Sequence, residues 1–560
     1  MSDVNPLDNP GWVVVMDPDP MAWTRDPIPG AKARILNRLK MSGLKCGRIS
    51  EAAAKALALL GLIALIGASG CHAGREDSRT VVMAIENSPT NLDRRIGTDA
   101  MSERIGGLIF DSLVRMDTHY EMQPWLAVRW EEPEALVWVF HLRDGVRFQD
   151  GRPLEAEDVV WTVNSMIDGS LLTSKSSNFA SVAKAEVRDR LTVALRLKRE
   201  DASLLFNLSD GQFGVVPRGS GKDFGRRPVG SGPYRFVSAE QDKDVVLERN
   251  PAYWAGAPKL ERVRFAVVPD AVTVALELEK GSVDLASNQL TLDMVHALEN
   301  RAGLATETGE GSAVMYLNFN VARGPLADVR VRQAIACAMD RGAMVHAVWR
   351  DKARLAETLL PPGHWAAATP GELPQYSHDV GRARSLLEAA GFKAGAHGVR
   401  LRLEMKTSQD ETTRLVAEIL QAQLADAGIK LTLRASEFGT FYSDVTSGRF
   451  EMYALRWISS NEDPDIFRYA FGSDRVPPMG ANRGHYRNPR VDELLGDAAR
   501  ITDEKVRRGE YVEVQKILAE ELPAVPLWYP NNEVVHTTRV MGIVPRGDGS
   551  FDFLRDAWLK

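Results

Sequence analysis

Cysteine is nearly absent from this chain, with three in 560 residues, at positions 46, 71 and 337. Cys46 lies before an apolar run and Cys337 within an apolar helical pattern, so no internal disulfide framework is expected and the cellular compartment cannot be read from disulfides. No C-x-x-C or H-E-x-x-H occurs and the ten histidines are scattered, which leaves a zinc site without support. No G-x-S-x-G elbow is present either. GSGK at 219–222 lacks the earlier glycine of a phosphate loop, since Val216 stands there, and Asp223 follows the lysine where a hydroxyl residue belongs. VGSGPYRF at 229–236 has two glycines without the third, and Pro233 breaks the amide-rich helix start that a dinucleotide needs; a tight turn into a strand is the better reading. No metal, no cofactor and no catalytic residue is expected, and the chain reads as a non-enzyme.

A strong charge of one sign is also missing. The net charge is -6, and setting aside the eight basic and six acidic residues before Cys71 makes it -8. Such a balance keeps a protein soluble and gives nucleic acid no general attraction. Long apolar runs are missing too, apart from Ala56–Ala68, ALALLGLIALIGA. As a helix it reaches about 20 Å, against a bilayer core of about 30 Å. Lys45, Arg48 and Lys55 precede it, and the small residues Ala68, Ser69 and Gly70 stand directly before Cys71, which is the layout of an export signal. This segment resembles the lipobox of bacterial lipoproteins, in which the cysteine becomes the lipidated first residue. Acyl chains contribute roughly 0.8 kcal/mol per buried methylene, enough for a multiply acylated Cys71 to hold a soluble body at a membrane. Residues 1–40 fit no signal pattern, and the expected translation start is Met41.

What remains is about 490 residues, too many for one core, so two or three domains are expected. The periods are clearest in the third quarter. Val399, Leu401, Leu403 and Met405 alternate; Leu415, Ile419, Leu420 and Leu424 recur at helical spacing; Gly428 stops the helix; Ile429, Leu431 and Leu433 alternate again. This strand, helix, strand unit favours parallel pairing and fixes the class as α/β. Further helices are expected at Asp379–Ala390, at Val329–Val348 after a capping Asp328, and at Lys505–Leu522 before Pro523. Strands are expected at Leu136–Leu142 and Val187–Leu197, flanking a helix near Ala156–Met166.

Four stretches in order, LRDGVRFQDGRPLEAEDVVWTVNSM (142–166), VGSGPYRF (229–236), NFNVARGPLADVRVRQAIACAMDR (318–341) and YVEVQKILAEELPAVPLWYP (511–530), resemble the family 5 extracellular solute-binding proteins, the receptors of oligopeptide, dipeptide and nickel ABC importers. The resemblance covers roughly residues 78–560. It implies a two-lobed periplasmic-binding-protein fold, type II-like, with an extra subdomain inserted in the first lobe. The expected division is 1–70 leader and signal, 71–120 first lobe, 121–225 inserted subdomain, 226–314 first lobe again, 315–522 second lobe, and 523–560 return to the first lobe. The implied function is capture of a peptide or other small polar solute between the lobes and delivery to a permease and its ATPase, by a monomer that is periplasmic or at the cell surface and held by lipid. A sensory binding protein presenting its loaded state to a receptor is the alternative.

In peptide-binding members of the family an aspartate three residues after a tryptophan meets the peptide's α-amine. Here the run is RWISSNEDPDIF, 456–467, and counting from Trp457 puts Ser460 at that place, so a free-amine peptide lacks its usual partner unless Glu462 or Asp463 replaces it. Asp463 also reads simply as a turn residue before Pro464. The resemblance puts Trp457 on the cleft wall, with Ser459, Ser460, Asn461, Glu462 and Asp463 beside it. Tyr316, Asn318 and Asn320 alternate on one strand face, and Asn87 follows the first strand; these complete the expected ligand contacts. Arg147, Arg330, Arg332 and Arg483 are candidates for an anionic group.

Overall fold

The computed structural model describes residues 78–458, 462–501 and 503–560. Cys71 and the expected export signal before it, together with Ser459, Ser460 and Asn461, lie outside them. The described residues form one compact body.

Along the chain, β1 (Thr80–Ile85) is followed by a two-stranded ribbon, β2 (Val114–Met116) and β3 (Met122–Pro124), then by β4 (Ala127–Glu134), β5 (Val137–Leu142), β6 (Val182–Asp189) and β7 (Thr192–Leu197). Next come β8 (Tyr234–Glu240), β9 (Asp244–Arg249), β10 (Arg262–Val267), β11 (Leu285–Ser287) and β12 (Leu304–Gly309). The chain crosses over as β13 (Val314–Phe319), continues through β14 (Ala353–Leu355), β15 (Leu401–Ser408), β16 (Ile429–Ser436), β17 (Met452–Trp457) and β18 (Ala524–Pro530), and returns as β19 (Asn532–Thr537). The three largest sheets are β12-β19-β11-β1-β10-β9-β8, then β14-β18-β13-β17-β15-β16, and a four-stranded β4-β5-β7-β6. The first two are the cores of two lobes, and the third belongs to the inserted segment.

β13 shows why the second lobe holds together. All six of its residues are buried. Met315, Leu317 and Phe319 enter one hydrophobic cluster, while Val314 and Tyr316 enter another on the opposite face of the sheet. The alternation of a strand thus serves two cores at once, and each such apolar side chain contributes roughly 1.5–3 kcal/mol on burial.

The predicted strand, helix, strand unit is present as β15, a helix at Glu411–Asp426 and β16, with the two strands parallel in register from Leu401↔Ile429 to Ser408↔Ser436. Two other expectations are corrected. The helix expected over Val329–Val348 is two, Val329–Ala338 and Arg341–Trp349, because the Asp340 side chain accepts from Ala343 N and starts a second helix. The strand expected over Val187–Leu197 is a hairpin, β6 and β7, turned at Arg190-Leu191. The tight turn at 229–233 is explained by contact: a Cβ on Gly230 would lie 1.9 Å from the Ile109 carbonyl oxygen, and one on Gly232 would lie 2.7 Å from it.

Two connections join the lobes, Glu310–Ala313 and Asn531. They run side by side so closely that a Cβ on Gly311 would lie 2.0 Å from the Pro530 oxygen. Beside them, residues 350–354 carry a row of cations to the first lobe. Arg350 pairs with Asp293 at 2.5 Å, Lys352 with Glu299 at 2.7 Å and Glu533 at 3.1 Å, and Arg354 with Glu310 at 2.6 Å.

Candidate functional site

A cavity of about 550 Å³ opens where the two lobes meet, just beyond these connections. The first lobe supplies its floor from Arg115–Tyr120 and from Gly542–Asp556, and the second lobe supplies Arg354, Pro362 and Glu462. The floor is tied to the crossovers: Asn532 Nδ2 donates to the carbonyls of Arg546 (2.7 Å) and Gly547 (2.9 Å), and Ser312 N donates to Gly547 O (2.9 Å). Anything seated here touches both lobes and the hinge that joins them.

The arginines of the floor are fixed by carboxylates and rings. Arg115 pairs with Asp210 at 3.0 Å and with Asp552, and its guanidinium lies 4.4 Å from the Trp125 ring centre. Arg555 lies over the same ring at 5.0 Å and pairs with Asp552 at 3.6 Å. Burial works against ionisation of Asp552, but Arg115, Arg555 and Arg546 outweigh it and hold its carboxyl low.

Two carboxyls are treated differently. Glu462 is 6% exposed and Asp548 half-buried, and among the described residues neither has a Lys, Arg or His within ion-pair distance. Burial, then the nearby Asp548, pushes the Glu462 carboxyl up to about 8. Burial likewise raises Asp548, against the pull of Arg546. Ser312 Oγ lies 2.5 Å from Glu462 Oε1 and 3.0 Å from Gly547 O. A hydroxyl has one hydrogen, so both contacts are satisfied when protonated Glu462 donates to Ser312 and Ser312 donates to Gly547. A positive group entering the cavity would displace that proton.

Beside the cavity, Tyr120 of the first lobe meets His364 of the second, with ring centres 5.2 Å apart. Ala366 N donates to His364 Nδ1 at 3.0 Å, which leaves Nε2 as the protonated nitrogen, 3.1 Å from the Glu462 carbonyl. Burial lowers the imidazole to about 3, so it is neutral.

The ten residues expected at a ligand are spread more widely. Glu462 lines the cavity. Asp463 is buried and accepts from Asp465 N at 2.9 Å, the turn it was read to make before Pro464, while its carboxyl is raised by burial. Trp457 ends β17, stacked on Tyr316 with ring centres 5.5 Å apart. Tyr316 is buried, and its hydroxyl accepts from Arg483 at 3.1 Å. Asn318 donates to the Tyr453 hydroxyl at 2.8 Å, and Asn320 to the carbonyls of Gly448 and Phe450 at 3.2 Å each, so the first amide ties β13 to β17 and the second ties the sheet to the loop before β17. Asn87 is exposed beyond β1. Ser459, Ser460 and Asn461 lie outside the described residues. Of the four arginines, Arg147 and Arg332 donate to carbonyls and Arg330 pairs with Asp328. Arg483 is buried between rings.

Sequence reading did not reach Arg115, Arg354, Arg546, Asp548, Asp552 or Arg555. The one local signal was PRGDGSFDFLRD at 545–556, a charged, glycine-containing run unlike the apolar strands before it. Among the described residues no group of His, Cys, Asp and Glu is disposed to hold a metal, and no helix is long and apolar enough to cross a membrane.

Comparison with known proteins agrees with this architecture. The family model described as bacterial extracellular solute-binding proteins, family 5 middle, matches residues 121–477. The "Probable di/tripeptide-binding protein 5" of Pseudomonas aeruginosa is 30% identical over 510 residues, 85% of this chain and 95% of the relative. The glutathione-binding protein GsiB of Salmonella paratyphi A is 27% identical, over 90% and 99%. The solved structure of HbpA2 from Haemophilus parasuis superimposes with a TM-score of 0.75 at 26% identity, covering 86% of this chain and all of that one. Two lobes on separate sheets, joined at paired crossovers with a charged cavity between them, are thus found in a chain that belongs to family 5 of the bacterial extracellular solute-binding proteins.

Proposed function

We propose that this chain is the receptor of an ABC importer, which takes a peptide or another small polar solute into the cavity between its lobes and hands it unaltered to a membrane permease. The observation that carries this reading is the cavity itself, walled by both lobes and holding two carboxyls, Glu462 and Asp548, with no cation within ion-pair distance among the described residues. A ligand touching both walls stabilises the closed arrangement over an open one, and closure is the signal a permease can recognise. Relatives named for di/tripeptides and for glutathione support a small peptide-like solute.

In this reading the first lobe comprises residues 71–120, 226–314 and 523–560, the inserted subdomain 121–225, and the second lobe 315–522. Glu462 replaces the aspartate that Ser460 lacks, and together with Asp548 it receives the positive end of the solute. Trp457 with Ser459, Ser460 and Asn461 forms the adjoining wall. After export, lipid on Cys71 holds the protein at the membrane, on the periplasmic or outer side, as a monomer.

Native mass spectrometry of the protein purified from its own host tests the reading. The expected spectrum shows one or a few small adducts that dissociate with their chemistry intact. A protein that carries none and binds none of its host's small molecules contradicts it. For the anchor, Cys71→Ser is expected to move the protein from the membrane to the soluble fraction; an unchanged membrane fraction removes that part alone.

A further inference from the structure

The register of the second sheet fixes which of its ends faces the first lobe. β13 enters from the first lobe at Val314 and β18 leaves for it at Pro530, and β17 runs antiparallel to β13 with Trp457 opposite Val314. β15 runs parallel to both β16 and β17. The carboxyl ends of β15, β16 and β17 therefore all lie at the end of the sheet that carries the crossovers. In open α/β sheets this is where ligands bind.

At that end stands a column of flat groups. Phe438, which opens the helix Phe438–Thr446 just past β16, stacks on Tyr442 with ring centres 5.8 Å apart and planes 17° apart. The Arg483 guanidinium lies 5.4 Å from the Tyr442 ring centre and 5.5 Å from that of Trp457. Trp457 in turn stacks on Tyr316, with planes 9° apart. The column is buried at Tyr316 and open at Phe438, which is 55% exposed. Arg483 is buried, its guanidinium bonds the hydroxyls of Tyr316 and Tyr442 and interacts with that of Tyr453, it has no acidic partner within ion-pair distance among the described residues, and its Nε is left without an acceptor. Tyr469, packed edge-on against Trp457, and Ile458 are exposed beside it.

Large exposed rings at a lobe-facing end are unusual on a soluble surface, and a positive charge behind them is not neutralised by any described carboxylate. The buried end of the column stands near the cavity: Trp457 pairs with Val314, and Glu462, which lines the cavity, bonds Ser312 two residues earlier on the same crossover. We propose that the open end of this column, Phe438 and Tyr442 backed by Arg483, is a second subsite of the cleft that takes a planar aromatic group bearing negative charge, as an extension of the solute held in the cavity. This rests on the receptor reading above: the cavity grips the polar end and the column takes a flat, anionic one, so the solutes favoured are larger than those that fill 550 Å³ alone.

The test uses 1-anilinonaphthalene-8-sulfonate, a planar aromatic anion, with the full chain. The native protein is expected to bind it with quenching of tryptophan emission. Phe438→Ser and Tyr442→Ser, both at exposed helix positions, are each expected to weaken binding about tenfold, while Leu172→Ser, at an exposed leucine of the inserted subdomain, leaves it as it was. Equal binding by native and Phe438→Ser protein, equal loss in Leu172→Ser, or no binding by the native protein overturns the subsite. Because the adduct found by native mass spectrometry does not depend on the dye, a failure here with the adduct still present counts against the column and leaves the receptor reading standing.

Discussion

The hinge row and two carboxyls of the cavity, Glu462 and Asp548, lie beside one another, and their charges are settled in opposite ways. Along residues 350–354 each cation meets a carboxylate of the first lobe, and even the buried Glu533 shares Lys352. In the cavity Glu462 and Asp548 come from opposite lobes, neither has a cation within ion-pair distance among the described residues, and both are driven toward the neutral form against the pull of Arg546. Paired charge fixes the position of one lobe on the other. Unpaired charge in a space both lobes share is a standing preference for something not part of the chain.

The contrast can be broken first at Glu462. Replacing it with Gln is expected to weaken the solute recovered from the host protein by about 30-fold or more, since removing one partner of a buried charge pair typically costs roughly 2–5 kcal/mol; calorimetric titration measures it. At the hinge, Lys352→Ala leaves Glu533, whose side chain is 7% exposed, without its cation, and a loss of about 1–3 kcal/mol in unfolding free energy is expected from denaturant melts.

The next effect is in pH. Glu462 has a folded-state value of about 8 against 4.5 for the ordinary group, so the folded protein holds a proton there that the unfolded chain has released. The sign follows: stability from this group is present below about pH 4.5 and is lost as pH rises toward 8. Melting temperatures across that window are expected to fall less steeply in Glu462→Gln than in the native protein. Asp548 contributes in the same direction, so the slope is reduced without vanishing. The smallest effect is expected for Arg350→Ala, whose pair with Asp293 is solvent-exposed: roughly 0.2–1 kcal/mol, declining with salt.

The same contrast explains what the sequence made legible. The unit from Leu401 to Ser436 was readable because its strands and helix each carry their own period, and a period is a local property. Asp340 hid a helix break inside an apolar pattern, since a capping carboxyl differs little in sequence from a surface one. Glu462 was within reach through the family's Trp457 run. The rest of the cavity comes from segments near 115, 354 and 546–556 that meet only when the chain recrosses at β13 and β18, so no spacing records it. Asn318 and Asn320 show the converse: their alternation is real, yet it serves ties from β13 to β17 and to the loop before it.

The central claim is that a solute shared by both lobes sets their separation. Spin labels at Leu172→Cys in the inserted subdomain and Met479→Cys in the second lobe, both highly exposed positions, report it as a distance distribution. With the solute present as purified from the host, a single narrow distribution is predicted; after the solute is stripped, a broader and longer one. One unchanged distribution in both states, with the solute demonstrably bound and removed, would contradict the account.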